Sequence, residues 1–229
     1  MLSSIQKRNK AAMKPAVIMM VRDEADILGK CLTYWQGLGV MDFYVCDNGS
    51  IDGTVQILKR FKDKGGARFT LSTDARTDWP GREVINGLKD AAIDDGCDFI
   101  FPADADEFLQ IPGYKSIEDM VATLGVSSGW GELPYLNILP DKSSQWQRPH
   151  KKAFGFILKG QTISMGNHLV EGVAPTITDH YCYYNHYSLR SFAQFKRKME
   201  NYMTAFSQTN FQDHPHAVDF KRWRVEGDI

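Results

Sequence analysis

The chain has 229 residues, 43% hydrophobic and 24% charged, with a formal net charge of -1. That length allows one sizeable α/β domain with its own core. A near-neutral balance without a basic stripe excludes an electrostatic case for nucleic acid, and no apolar run is long enough to span a bilayer.

The first fourteen residues carry Lys7, Arg8, Lys10 and Lys14 with no apolar segment behind them. No secretory signal is read there. The chain reads as cytoplasmic, with a basic arm able to touch the inner face of a membrane weakly. Cys31, Cys46, Cys97 and Cys182 form no C-x-x-C pair. Cys31 on an apolar helix face and Cys46 on a strand read as small buried hydrophobes in a reducing compartment.

Pro15–Val21 reads as a buried first strand. Arg22-Asp23-Glu24 interrupts it, and Ile27, Leu28, Cys31, Leu32, Trp35 and Leu38 then recur at helical spacing, with Asp23 as the N-cap and Gly39 as the stop. Phe43–Cys46 gives a second strand ending at Asp47. The loop Asn48–Gly53, with Gly49 and Gly53 serving the turn and Asp52 capping, leads to a helix bearing Val55, Ile57, Leu58 and Phe61. Arg68–Ser72 is a third strand, Glu83–Ile93 a third helix and Phe99–Ala103 a fourth strand. Strands alternating with helices of this length imply βαβ units and a mostly parallel sheet.

After Gly113 the pattern changes. A short helix over Ile117–Leu124 precedes segments 131–139, 154–158, 162–165 and 177–184, which read as mixed or antiparallel strands. Leu189, Phe192, Phe195, Met199 and Met203 then trace an amphipathic helix, with Lys196-Arg197-Lys198 on its solvated face. Trp35 and Trp79 read as core or pocket walls, and Trp130, Trp146 and Trp223 as packing or sugar-stacking residues.

The densest chemistry lies in Phe99-Ile100-Phe101-Pro102-Ala103-Asp104-Ala105-Asp106-Glu107. An apolar strand delivers three carboxylates at its carboxyl end, where open α/β sheets bind ligands. Like charges this close repel unless a cation or a shared proton relieves them. Two hard oxygen ligands with room for water and phosphate suit Mg²⁺ or Mn²⁺. Right-handed crossovers gather Arg22-Asp23-Glu24, Asp47-Asn48, Asp74 and Asp104–Glu107 along one rim.

Four motifs, in order, carry a family likeness: Asp47-Asn48-Gly49-Ser50-Ile51-Asp52-Gly53-Thr54, Arg22-Asp23-Glu24-Ala25, Asp104-Ala105-Asp106-Glu107, and the segment His186-Tyr187-Ser188-Leu189-Arg190-Ser191-Phe192-Ala193-Gln194-Phe195-Lys196-Arg197-Lys198. Over about residues 14 to 203 the chain resembles family 2 glycosyltransferases of the GT-A fold, in the bacterial branch with D-A-D-E and H-Y-x-x-R-S motifs. Asp23 departs from the usual Asn. The resemblance implies an α/β fold of GT-A type: a Rossmann-like, mostly parallel sheet flanked by helices, with a smaller mixed or antiparallel C-terminal part. It implies one domain over 14–206, with a nucleotide-sugar-binding half at 14–112, an acceptor-side half at 113–206, and terminal extensions at 1–13 and 207–229.

The same resemblance implies metal-dependent transfer of a sugar from a nucleoside-diphosphate sugar, a UDP-sugar by first expectation, to a hydroxyl of a glycan or lipid-linked acceptor. Inversion and cell-envelope glycan synthesis are part of that expectation. Arg22, Glu24, Asp47, Asp74, Arg82 and Asp104 are the nucleotide-binding candidates. Asp104, Asp106 and His186 are the metal candidates, with His168 as a further one. Glu171 and His168 lead as catalytic base, and Glu132 is a third choice. A nucleotidyltransferase on a similar scaffold is the first rival, although Arg22-Asp23-Glu24-Ala25 lacks the glycine of a phosphate loop. A non-catalytic nucleotide-sugar-binding module and a sugar-releasing hydrolase are the others.

Overall fold

Parity along the first strand decides the architecture. In the computed structural model, β1 (Pro15–Val21) sends Val17, Met19 and Val21 into one apolar layer and Ala16 and Ile18 into another. Successive side chains of a strand point to opposite faces, so such a strand must be covered on both sides. β2 (Asp42–Asp47) and β4 (Phe99–Pro102) divide in the same way, with Phe43, Val45, Phe99 and Phe101 on one side and Tyr44, Cys46 and Ile100 on the other. The structure describes residues 13–76, 78 and 80–205, with only the backbone described at 145–150 and 205. The basic arm over 1–12, Trp79, the side chain of Trp146, Trp223 and the 207–229 extension lie outside the described residues.

Helices α1 (Leu28–Gly37), α2 (Thr54–Lys64) and α4 (Ile117–Leu124) cover the first face through residues such as Leu32, Trp35, Leu58 and Met120. Helix α3 (Gly81–Asp94) covers the second face with Ile85, Leu88 and Ala92. Among the described residues the strands form one eight-stranded sheet in the order β3-β2-β1-β4-β7-β6-β8-β5. β3 (Arg68–Thr73), β2, β1 and β4 are mutually parallel, as the βαβ reading requires. β7 (Ser144–Phe156) runs antiparallel to β4 and to β6 (Gly129–Ile138). β8 (Tyr183–His186) lies parallel to β6 and antiparallel to β5 (Glu107–Gln110). The architecture is therefore the expected one: a parallel α/β half followed by a smaller mixed half.

Aromatic rings join the halves. Phe99 and Phe101 of β4 meet Phe154 of β7 at centroid distances of 5.9 and 6.2 Å, and Trp35 packs 5.2 Å from Phe101. Where β4, β6 and β7 converge, Gly155 has φ +136, and a Cβ there would come within 2.7 Å of the Gly129 carbonyl oxygen. Only glycine allows the three backbones to approach so closely.

Several expectations change. Asp23 does not cap α1; it sits in the left-handed region at φ 56, and Ile27 precedes the helix. Gly53 has no positive φ, unlike Gly49 at φ 72. The expected strand at 154–158 is the end of the much longer β7. The 162–165 segment reduces to a bridge between Ile163 and Val170, followed by a 3-10 turn at Met165–Asn167. The 177–184 strand is confined to Tyr183–His186, with an isolated bridge at Ile177. All four cysteines are buried free thiols, as read for Cys31 and Cys46.

Because Phe101 joins the two halves and immediately precedes the acidic loop, Phe101→Ala is expected to cost about 3–5 kcal/mol of stability. Urea unfolding followed by tryptophan fluorescence measures this directly. A loss below about 1 kcal/mol would show that the seam is not a principal support of the sheet.

Candidate functional site

The carboxyl ends of β1, β2, β3 and β4 form one rim, and two loops on it are bolted together. The amides of Asp23, Glu24 and Ala25 donate to Ser50 Oγ (2.9 Å), Thr54 Oγ1 (2.8 Å) and Asp52 Oδ2 (3.1 Å). In return Asp23 Oδ1 accepts the amide of Ile51 at 2.8 Å. Thus Ser50, Asp52 and Thr54 of the D-N-G-S-I-D-G-T loop serve as acceptors for the neighbouring loop. Asp52 also accepts the amide of Thr54, the first residue of α2, which fits its expected capping role.

Asp47 lies deep in this rim. Its Oδ2 accepts the Ser50 amide at 3.2 Å, while its buried Oδ1 has no partner. Beside it, Asn48 donates to the carbonyls of Asp74 and Arg76, and its own Oδ1 is buried without a partner. Arg22 Nε is a third such atom. Buried polar atoms left unpaired are costly, and these three lie on one rim, where water or a polar ligand can pair with them. Asp74 is different: Arg76 grips both its oxygens, at 3.0 Å through Nε. That arrangement is a turn clasp.

The acidic loop follows β4. Asp104 and Asp106 do not share partners. Asp104 Oδ2 accepts Lys152 Nζ at 2.6 Å, and Lys152 also reaches Glu107 Oε1 at 2.9 Å and the Gly166 carbonyl at 3.0 Å. Asn167 Nδ2 lies 3.4 Å from Asp104 Oδ1. Burial pushes the Glu107 carboxyl up to about 8, more than Lys152 can offset. Burial also works against the Lys152 charge, but Asp104 and Glu107 hold its pKa above the usual lysine value.

Asp106 is buried and faces the other way. Oδ2 accepts Lys198 Nζ at 3.0 Å and lies 3.5 Å from Arg190 Nη1, while Oδ1 lies 3.7 Å from His186 Nε2. Burial favours the neutral acid, yet Lys198 and Arg190 hold this carboxyl below the ordinary range. Strand pairing brings His186 here: β8 is flanked by β5 and β6, so His186 is opposite Glu107 on one side and Asn137 on the other. Its Nδ1 pairs with Asn137 Oδ1 at 2.7 Å. An amide oxygen only accepts, so the ring proton sits on Nδ1 and Nε2 presents a lone pair to Asp106. Burial lowers this imidazole to about 4, which keeps it neutral at physiological pH.

Arg190 closes the rim. Its guanidinium binds Asp26 at 2.6 and 3.0 Å, Glu24 at 2.5 Å and the Tyr187 carbonyl at 3.0 Å, besides facing Asp106. Burial and Asp106 still push the Glu24 carboxyl up to about 7, against Lys198 and Arg190. Helix α5 (Phe192–Ala205) carries Lys198 and Asn201, whose Nδ2 donates to Asp23 Oδ2 at 2.9 Å. The solvated run expected at Lys196-Arg197-Lys198 is therefore corrected: Lys196 is exposed, but Lys198 turns inward to Asp106.

The remaining candidates lie on the turn after β7 and nearby. Glu171 and Arg82 meet, but as a bidentate pair with distances of 3.0 and 2.5 Å. His168 Nδ1 contacts the Lys151 carbonyl oxygen at 2.7 Å, and Gly166 and Asn167 before it are both left-handed, at φ 75 and φ 64. Glu132 pairs with Lys151 at 3.3 Å. Lys152 and Asn137 were not singled out from the sequence, and Lys198, though part of the matched motif, was read as belonging to a solvated face. Strand parity places Lys152 on the same face as buried Phe154, and helical spacing places Lys198 beside buried Gln194, Phe195 and Met199, so both signals existed.

No group of three or more His, Cys, Asp or Glu is drawn together as a metal cage among the described residues. The donor set nevertheless fits a divalent ion that brings its own ligands. A neutral imidazole nitrogen and a carboxylate oxygen 3.7 Å apart can both reach an ion at ordinary bond lengths, and Mg²⁺ or Mn²⁺ is commonly held by one or two side chains plus phosphate oxygens and water.

No protein-family model matches the chain. A glycosyltransferase family 92 protein of rice, Oryza sativa subsp. japonica, is 28% identical over 120 residues, which is 51% of this chain and 20% of that protein. The chain thus spans about a fifth of the length of that curated relative. Among solved structures, Staphylococcus aureus TarS 1-349 in complex with UDP overlaps with a TM-score of 0.38 at 18% identity, over 56% of this chain and 36% of that one. The mannosyltransferase PcManGT of Pyrobaculum calidifontis, in complex with GDP-Man and Mn²⁺, gives 0.40 at 18% identity, over 53% and 35%. Overlaps of this size say nothing of this chain's substrate. No helix among the described residues is long and apolar enough to cross a membrane.

Two outcomes follow from this geometry. Nitrogen chemical shifts should show His186 as the Nδ1-H tautomer, titrating near pH 4; titration near the ordinary 6.5 would contradict the buried neutral ring. Arg190→Met strands Glu24, Asp26 and Asp106, so about 3 kcal/mol of stability should be lost, with early loss of hydrogen-exchange protection in α5.

Proposed function

We propose that the chain is a metal-dependent glycosyltransferase of GT-A type that takes a nucleoside-diphosphate sugar. The observation that supports it most is the polarity of one rim. Unsatisfied buried acceptors at Asp47 and Asn48 stand at one end, and a carboxylate and imidazole with adjacent cations stand at the other. A nucleoside diphosphate has that same division, with a hydrogen-bonding base at one end and a dianionic pyrophosphate at the other.

In this reading Asp47 Oδ1 accepts from the base, with Arg22 beside it. Glu24 and Asp104 bind ribose hydroxyls, and Asp106 and His186 hold the ion. The ion neutralises charge that grows on the departing diphosphate. Arg190 fixes Glu24 and Asp106 so that both are in place before the ligand arrives. Asp74 and Arg82, already clasped by Arg76 and Glu171, contribute less than their positions in the sequence suggested.

For the acceptor's proton, His168 is the better candidate of the two. Glu171 has both carboxylate oxygens engaged by the Arg82 guanidinium. His168 Nδ1 meets the Lys151 carbonyl oxygen, a contact that orients the ring as the carboxylate or carbonyl partner of a general-base histidine does. Inversion, a cell-envelope glycan or lipid-linked acceptor, and one domain over 14–206 complete the proposal.

Calorimetric titration of UDP, GDP and CMP tests it, with Mn²⁺ and then with EDTA. One nucleoside diphosphate should bind preferentially with Mn²⁺, and affinity should fall about tenfold or more in EDTA and in Asp106→Asn, in keeping with the loss of a charge-assisted contact. Asp47→Ala should reduce discrimination between bases. Binding that ignores both the metal and Asp106 would sink the metal-dependent reading.

A further inference from the structure

Lys198 sits where a second cation must also go. Asp106 divides its oxygens: Oδ1 faces His186 Nε2, and Oδ2 accepts Lys198 Nζ at 3.0 Å. An ion bound at Oδ1, at about 2.1 Å, would share one small carboxylate with the ammonium. Arg190 cannot yield, because Asp26, Glu24 and the Tyr187 carbonyl pin its fork. Lys198 can. Among the described residues its hydrogen bond is to Asp106 alone, its side chain is 24% exposed, and four carbons of flexible stem lie behind the charge.

We propose that Lys198 is an exchangeable counter-ion. In the nucleotide-free protein it neutralises Asp106 in place of the divalent ion, and when metal and nucleotide enter it passes to the diphosphate. The inference rests on the nucleotide-diphosphate reading of this rim and adds a residue to it. Lys198 stays protonated throughout, so it changes partners and no proton moves. Lys152 does not share this role, since it is fixed by Asp104, Glu107 and the Gly166 carbonyl together.

The exchange predicts two effects of opposite sign. In Lys198→Met, Mn²⁺ binding without nucleotide, read by electron paramagnetic resonance, should tighten about tenfold or more because a repelling charge is gone. Binding of UDP or GDP, whichever the wild type prefers, should weaken about tenfold or more at saturating Mn²⁺ because a phosphate-binding cation is lost. Lys196→Met, on the exposed face, should change neither. A residue that merely props Asp106 would weaken both when removed, and that outcome, or no change in either, overturns the proposal.

A wild-type measurement guards against a variant that does not fold. Amine-reactive labelling of Lys198, followed by mass spectrometry, should be slow in the free protein, faster with Mn²⁺ alone, and slow again with Mn²⁺ and the nucleoside diphosphate. A labelling rate indifferent to all three states refutes the exchange. Failure of the wild type to take up either Mn²⁺ or nucleotide defeats the glycosyltransferase reading itself. Uptake of both with parallel changes in Lys198→Met defeats the Lys198 inference alone.

Discussion

The guanidinium of Arg190 holds together acids that would otherwise separate. Glu24 and Asp26 come from the loop after β1, and Asp106 from the loop after β4; all three converge on one planar group. Two like charges about 4 Å apart repel by roughly 4 kcal/mol at the effective dielectric of a partly buried site. The rim therefore cannot exist in this form without a cation at its centre. A lysine would not replace it, because only the arginine fork reaches several acceptors from one fixed plane. Compensation is still incomplete, as the raised pKa of Glu24, about 7, records.

Around that centre the backbone is held by side chains. Helix α1 has no side-chain cap, and the amides of residues 23–25 instead bind Ser50, Thr54 and Asp52. The left-handed Asp23 follows from this bracing, since its side chain is tied to Ile51 on one side and Asn201 on the other. Such strain persists only where the surroundings over-determine it. Here it places Glu24 beside Arg190. The H-Y-x-x-R-S-x-x-Q-F-x-x-K segment has a comparable logic. Ser191 Oγ accepts the Gln194 amide, Gln194 Oε1 accepts the Arg190 amide, and Phe195 and Met199 bury the helix that carries Lys198.

The parallel half was legible in the sequence because its strands are nearly continuous apolar runs closed by acids. The mixed half was not, for local reasons. β5 is four residues long and opens with Glu107, whose burial is explained by Lys152 rather than by its own character. β7 opens on Ser-Gln-Trp-Gln-Arg-Pro-His, where only Trp146 has a strand preference, and long pairing with β6 supplies what the sequence lacks. Missing β5 also hid how His186 reaches Asp106, since that contact depends on strand register. The carboxylates were visible as a motif; the lysines that answer them come from 48 and 92 residues away, as Lys152 to Asp104 and as Lys198 to Asp106. Charge compensation at that separation has no local signature.

The internal cations also set how the rim behaves without ligand. A site of unpaired acids would depend on metal for its folded form, as small metal-organised domains do. Here Lys152, Arg190 and Lys198 satisfy Asp104, Asp106, Glu107 and Glu24, so the rim is assembled before anything binds. The same compensation removes much of the attraction a bare divalent ion would feel. In the proposed reading an ion accompanied by a diphosphate would escape that limit, because the anion would give the displaced or neighbouring cations a partner. In the proposed glycosyltransferase reading, a rim balanced in this way would favour the metal and the nucleotide together over the metal alone, and the preference would come from the protein's own charges.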